Sequence, residues 1–145
     1  MTKETYCSLK LAKLLDERGF DGDDCHMFYA TNGTLRPTTE ILLTPDENIA
    51  CLAPTHQMAM KWLMDEHNIY ISVYFGYAWS GSATDGHSVV RFEPAIAIKR
   101  DERYMGNDFR LDGHYFQEDI FLSYDEAIEA AILYSLEKLM PTQNT

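Results

Sequence analysis

Cysteine is scarce and poorly spaced for either of its structural uses: Cys7, Cys25 and Cys51 are odd in number, far apart and never in a C-x-x-C pair. That excludes a disulfide framework and a zinc knuckle and leaves reduced thiols. Cys7 reads as a small buried hydrophobe on the apolar side of the first helix. Long hydrophobic runs are missing too. None approaches the roughly 20 residues of a membrane span, and the opening MTKETYCSLK is too polar for a secretory signal. The expectation is a soluble, cytoplasmic protein. Positive charge is also short, 12 Lys and Arg against 23 Asp and Glu, giving a formal net charge of −11 spread along the chain. This disfavours direct binding to a phosphate backbone. It suits a solvated surface, or an acidic face that meets a basic partner.

Catalytic signatures are lacking as well. The glycines of 76–81 and 81–86 have no following Lys, so neither segment is a phosphate loop. No serine lies in a nucleophile elbow, and no carboxylate pair is marked by its neighbours. Asp108, Asp112 and Gly113 match an EF-hand loop, but Arg110 and Phe116 occupy ligand positions, so 108–119 reads as a hairpin turn. His56 and His67 sit at opposite ends of one predicted helix, about 16 Å apart along its axis, and cannot share an ion. They read as helix-end polar residues. Convergence of His26, His87 and His114 would be a tertiary matter. No catalytic, cofactor-binding or metal-binding residue is assigned.

What is present is a fold signature. The stretch 53–75, APTHQMAMKWLMDEHNIYISVYF, predicts a helix over 56–67 with Thr55 as N-cap, Trp62 as core anchor and Asn68 as left-handed stop. The period then changes to two, with Ile69, Ile71, Val73 and Phe75 on the core face and Tyr70, Ser72 and Tyr74 opposite. A first helix is expected over 3–18, ended by Gly19. Asn32-Gly33 signals a type I′ hairpin whose returning arm, 35–43, is pushed to an edge by Pro37. Residues 69–77 are expected to pair with 89–99 across a Gly/Ser-rich loop, Pro94 forcing a bulge or an edge position. Asp112-Gly113 signals a turn before a strand at 114–122. Ser123 and Glu126 form a capping box for the last helix, which buries Ile128, Ala131, Ile132, Leu136 and Leu139 and stops at Pro141. At 145 residues with 46% hydrophobic content, the chain fits one α+β domain over 1–140 and a frayed tail. Its expected form is an antiparallel sheet of about five strands with three amphipathic helices mainly on one face.

Three segments, CSLKLAKLLDERGFD, APTHQMAMKWLMDEHNIYI and SYDEAIEAAILYSLEKL, cover about a third of the chain. They resemble a family of small proteins from gut bacteria of the Bacteroides type and their phages and mobile elements. The family has no established activity, so the resemblance carries over no functional residue. It implies an accessory, mobile-element context and core roles for Leu11, Leu15, Trp62 and Leu136.

The functional expectation is a small acidic accessory protein that binds another protein, or forms a homodimer, without catalysis. Aromatics on the strand face away from the core favour a binding surface, and Tyr74, Trp79 and His87 are its expected contacts. One alternative is a nucleic-acid mimic occupying a basic cleft, which requires clustered carboxylates. Another is a hydrolase-like enzyme, in which His26, His87 or His114 converges with at least two carboxylates.

Overall fold

Each α-helix among the described residues starts on a hydroxyl. The computed structural model describes residues 5–80, 84–99, 109–111 and 121–140, with the backbone alone at 78–80, 99 and 109–111. Helix α1, Leu9–Glu17, begins where the Ser8 hydroxyl accepts from Leu11 N at 3.2 Å, and it buries Leu11, Ala12 and Leu15. It therefore does not extend back to residue 3, as the apolar stripe suggests. Cys7 lies ahead of it, in an extended segment whose backbone pairs with the start of the second helix. Cys7 N donates to Pro54 O and His56 N donates to Thr5 O, both at 3.0 Å. Gly19, at φ +92°, closes α1: its N–H reaches Asp16 O and Phe20 N–H reaches Leu15 O. Only glycine takes that backbone angle without strain.

Strands β1 (Met27–Ala30), β2 (Leu35–Pro37) and β3 (Ile49–Ala53) form one antiparallel sheet in the order β2-β1-β3. The β1–β2 hairpin is where Asn32-Gly33 puts it, but its turn is not type I′. Gly33 alone has positive φ (+88°), and Asn32 instead accepts from Thr34 N through its side chain. A type I turn closed by a left-handed glycine needs just that one positive angle. Pro37 ends β2 at the sheet edge, and two short 3-10 turns, Thr38–Leu43 and Asp46–Asn48, take the place of the longer arm. Strand β3 has no counterpart in the sequence reading.

Helix α2, His56–His67, matches expectation at both ends. Thr55 Oγ1 accepts from Met58 N at 3.1 Å, and Asn68 stops the helix at φ +56°. Leu63 and Ala59 fill the core. Trp62 is only half-buried, set edge-on against Phe20 and His67. Position 62 lies about 100° round the helix from Leu63, off the buried face, so the indole packs at the edge of the core.

Strands β4 (Ile69–Ser80) and β5 (His87–Lys99) pair without a register break from Ile69↔Ile98 to Ser80↔His87, and β6 (Phe109–Leu111) joins the inner end of β5. Pro94 sits opposite Val73 with no bulge. The N–H of Phe92, two residues away, points off the β4 ladder to Phe121 O at 2.8 Å, so the missing donor of Pro94 also faces away from β4. The described strands thus divide between two three-stranded sheets rather than joining one of five. The turn at 112–113 and most of the strand expected at 114–122 lie outside the described residues.

Helix α3, Tyr124–Tyr134, is capped by Ser123, whose hydroxyl accepts from Glu126 N at 3.1 Å, and it continues as a π-helical turn, Ser135–Leu139. Helices α2 and α3 pack on β4 and β5, while α1 packs on β3 and against α3. One core gathers Leu11, Leu15, Leu63, Ile69, Ile96, Ile128, Ile132 and Leu136. No helix among the described residues is long and apolar enough to cross a membrane.

Candidate functional site

Among the described residues, two places stand out for the way they draw side chains together. The first is the outer half of the β4–β5 ribbon. Ile69, Ile71 and Val73 lie against the helices, and the same face of β4 then runs on past them. Phe75 was expected in the core, yet it is 71% exposed, and Tyr77 beyond it is 73% exposed. The reason is length: β4 and β5 are 12 and 13 residues long, and their residues packed in or against the core are Ile69, Ile71, Val73, Ile96 and Ile98, all towards one end of the ribbon. Phe75 pairs with Phe92 and Tyr77 with Val90, and Phe92 sets its ring edge-on to Tyr124 at 6.3 Å. Val90, Leu122 and Tyr124 are exposed. The result is an apolar strip that continues the core face into solvent.

The three residues expected at the contact surface are spread along this ribbon. Tyr74 is exposed on the opposite face, paired with Glu93. His87 is exposed and pairs with Ser80 near the tip. Trp79 pairs through its backbone with Ser88, and its side chain lies outside the described residues. Tyr74 and His87 share a face by strand parity; Phe75 and Tyr77 take the other.

The second place is a polar node among α1, α2 and α3. His56, in the first turn of α2, donates from Nε2 to Glu129 Oε1 at 2.8 Å, and its Nδ1 pairs with the Thr5 hydroxyl at 2.9 Å. Glu129, from the middle of α3, receives Ser8 N at 3.2 Å on Oε1 and the Ser8 hydroxyl on Oε2. Its carboxylate therefore sits at the N-terminus of α1, where the helix dipole favours negative charge. Burial raises the Glu129 pKa, but the bonds from His56 and Ser8 outweigh burial and leave the carboxyl below its ordinary value. The His56 side chain is 8% exposed and that of Glu129 28%, so the pair opens to solvent on the Glu129 side.

Cys7 completes this group. Its sulfur, an imidazole nitrogen of His56 and a carboxylate oxygen of Glu129 lie within 4.8 Å of one another. The thiol has one weak contact, to Thr55 O at 3.8 Å, and Tyr29 donates to the Cys7 carbonyl at 2.6 Å. Burial above all, with the Glu129 charge behind it, drives the Cys7 pKa far up. A neutral, fully buried thiol is no nucleophile, and both imidazole nitrogens are engaged elsewhere, so the trio does not read as a Cys-His catalytic pair. It can hold segments together, or hold a cation.

Cys7, His56 and Glu129 are far apart in the sequence, and no local spacing marks them as a group. A signal existed: a His just inside a helix start is poorly placed as a cation, which asks for a carboxylate partner. The histidines considered as a converging set do not meet among the described residues, where His26 and His87 are both exposed; His114 lies outside them. Acidic groups gather at one hollow, where Asp21, Asp24, Asp65 and Glu66 line a space with Phe20 and Trp62, but Lys61 pairs with Asp65 there.

No family model, curated protein or solved structure matches this chain.

Proposed function

We propose that this protein works as a binding module whose contact surface is the outer β4–β5 ribbon, and that its partner is another protein. The observation behind the reading is the apolar strip Phe75, Tyr77, Val90 and Tyr124, which extends the core face beyond the helices. Exposed apolar groups in a contiguous patch mark interaction surfaces more often than scattered ones do. Aromatics also dominate the energy of protein contacts. Tyr74 and His87, on the opposite face, would form a second side for a partner that wraps the ribbon.

Charge argues for a partner different from a second copy. Two chains at −11 each repel, whereas a partner with an apolar patch edged by Lys or Arg is attracted. The nucleic-acid-mimic reading has the acidic hollow by α2 in its favour, but Lys61 sits within it, and the hollow offers no extended run of like charge.

The test is capture from cells that express the protein naturally, at low and at high salt, with wild-type bait and with a Phe75→Ser/Tyr77→Ser double variant. The expected outcome is one protein held through the salt wash by wild type and weakened roughly 30-fold or more by the variant, as loss of a ~2 kcal/mol hot spot requires. The same proteins retained by both baits would overturn the reading. A basic nucleic-acid-binding protein released by salt from both baits would replace it with mimicry, and a dimer on sizing that the double variant breaks would replace it with self-association.

A further inference from the structure

We infer that Cys7, His56 and Glu129 form a binding site for a zinc-type divalent cation, which clasps the segment before α1 to α2 and α3. The proposal is independent of what binds the ribbon. It stands on geometry: three donors of different kinds, a sulfur, an imidazole nitrogen and a carboxylate oxygen, lie within 4.8 Å of one another. Bond lengths of about 2.3 Å to sulfur and 2.0–2.2 Å to nitrogen and oxygen place tetrahedral donors about 3.3–3.7 Å apart. The side chains need shift by only about 1 Å to receive an ion.

The surroundings suit a metal more than a bare ion pair. The His56–Glu129 hydrogen bond is complete without Cys7, yet the Cys7 sulfur lies beside that pair with only a 3.8 Å contact of its own. Supporting groups are already in place, since the Thr5 hydroxyl holds the far side of the imidazole and Ser8 holds the carboxylate through N–H and O–H. Charge balances as well: a thiolate and a carboxylate neutralise a dication, with neutral imidazole as third ligand. On binding, the Cys7 thiol proton passes to solvent. The imidazole proton now directed at Glu129 moves to Nδ1, where the Thr5 hydroxyl accepts it. Solvent on the Glu129 side supplies the fourth ligand. Sulfur with nitrogen selects zinc-like ions over magnesium or calcium, which prefer oxygen alone.

The probes are Co²⁺ and Zn²⁺ alone, added to protein stripped with a chelator. Wild type is expected to take one equivalent of Co²⁺ with a near-ultraviolet thiolate band and the intense visible bands of a tetrahedral ion, and to melt higher with Zn²⁺. Cys7→Ala should abolish the thiolate band and weaken Zn²⁺ at least ~100-fold, beyond the loss usual for a supporting group; Thr5→Val should weaken it ~10-fold. Cys25→Ala/Cys51→Ala should bind as wild type does. Glu129→Gln serves should Cys7→Ala fail to fold, and it should shift the visible bands and weaken binding. Absence of a thiolate band in wild type at one equivalent would overturn the site. So would a band that survives Cys7→Ala, or one lost only in the Cys25→Ala/Cys51→Ala protein.

Discussion

Burial, more than any neighbouring charge, governs the three thiols. Desolvation is the first cause of the upward shift at Cys7, Cys25 and Cys51, and it takes Cys25 from 9.0 to about 11, with Asp24 and Asp21 adding to it. A thiol whose pKa is higher folded than unfolded contributes stability that is fully present below about pH 9. That contribution is lost as pH rises towards 11. Cys25→Ala should therefore flatten part of the alkaline fall in stability, measured as urea midpoints between about pH 8 and pH 10.5. An unchanged slope would show that the Cys25 thiol is no more shielded than a free one. At this scale the sequence was least legible. Glu129 and His56 are 73 positions apart, and neither carries a local mark of the other. Cys7 was read correctly as buried but on the wrong element, because the apolar spacing continues through Ser8 and hides the cap.

The helix starts are the best test at the scale of elements, because two of them differ in one respect. Ser123 caps α3 by accepting from Glu126 N alone, whereas the Ser8 hydroxyl accepts from Leu11 N and donates to Glu129. Ser123→Ala should cost about 1 kcal/mol, as loss of a cap does. Ser8→Ala should cost about 1–3 kcal/mol more, because it also strips a partner from a half-buried carboxylate. Urea unfolding of both variants decides the matter, and equal losses would mean that Ser8 acts only as a cap. Thr55, Asn68, Ser123 and the β4–β5 pairing were all legible in the sequence. Each rests on a local rule, either a hydroxyl before an apolar period, a residue that tolerates positive φ, or a change of period. Strand β3 was not legible, because IACLA offers small residues and only a short alternation. The true start of α1 was lost to the same preference for apolar spacing over capping.

For the whole molecule, the sequence supported an α+β architecture with antiparallel pairing but not the division into two sheets. Strand pairing between distant segments is set by where the helices pack, and here α1 lies on β3 while α2 and α3 lie on β4 and β5. The exposed end of the ribbon was partly foreseen. Aromatic excess around β4 pointed to a surface, but strand parity alone assigned Phe75 to the core, because it cannot say how far the helices reach. That overhang is the central feature of the account. It can be tested most directly by placing a photo-crosslinking benzoylphenylalanine at Tyr77 and, as a comparison, at Leu42, which is 93% exposed on a 3-10 turn after β2. In cells that express the protein naturally, the account predicts one discrete protein adduct from position 77 and none of that size from position 42. The same adducts from both positions, or none from position 77, would contradict it.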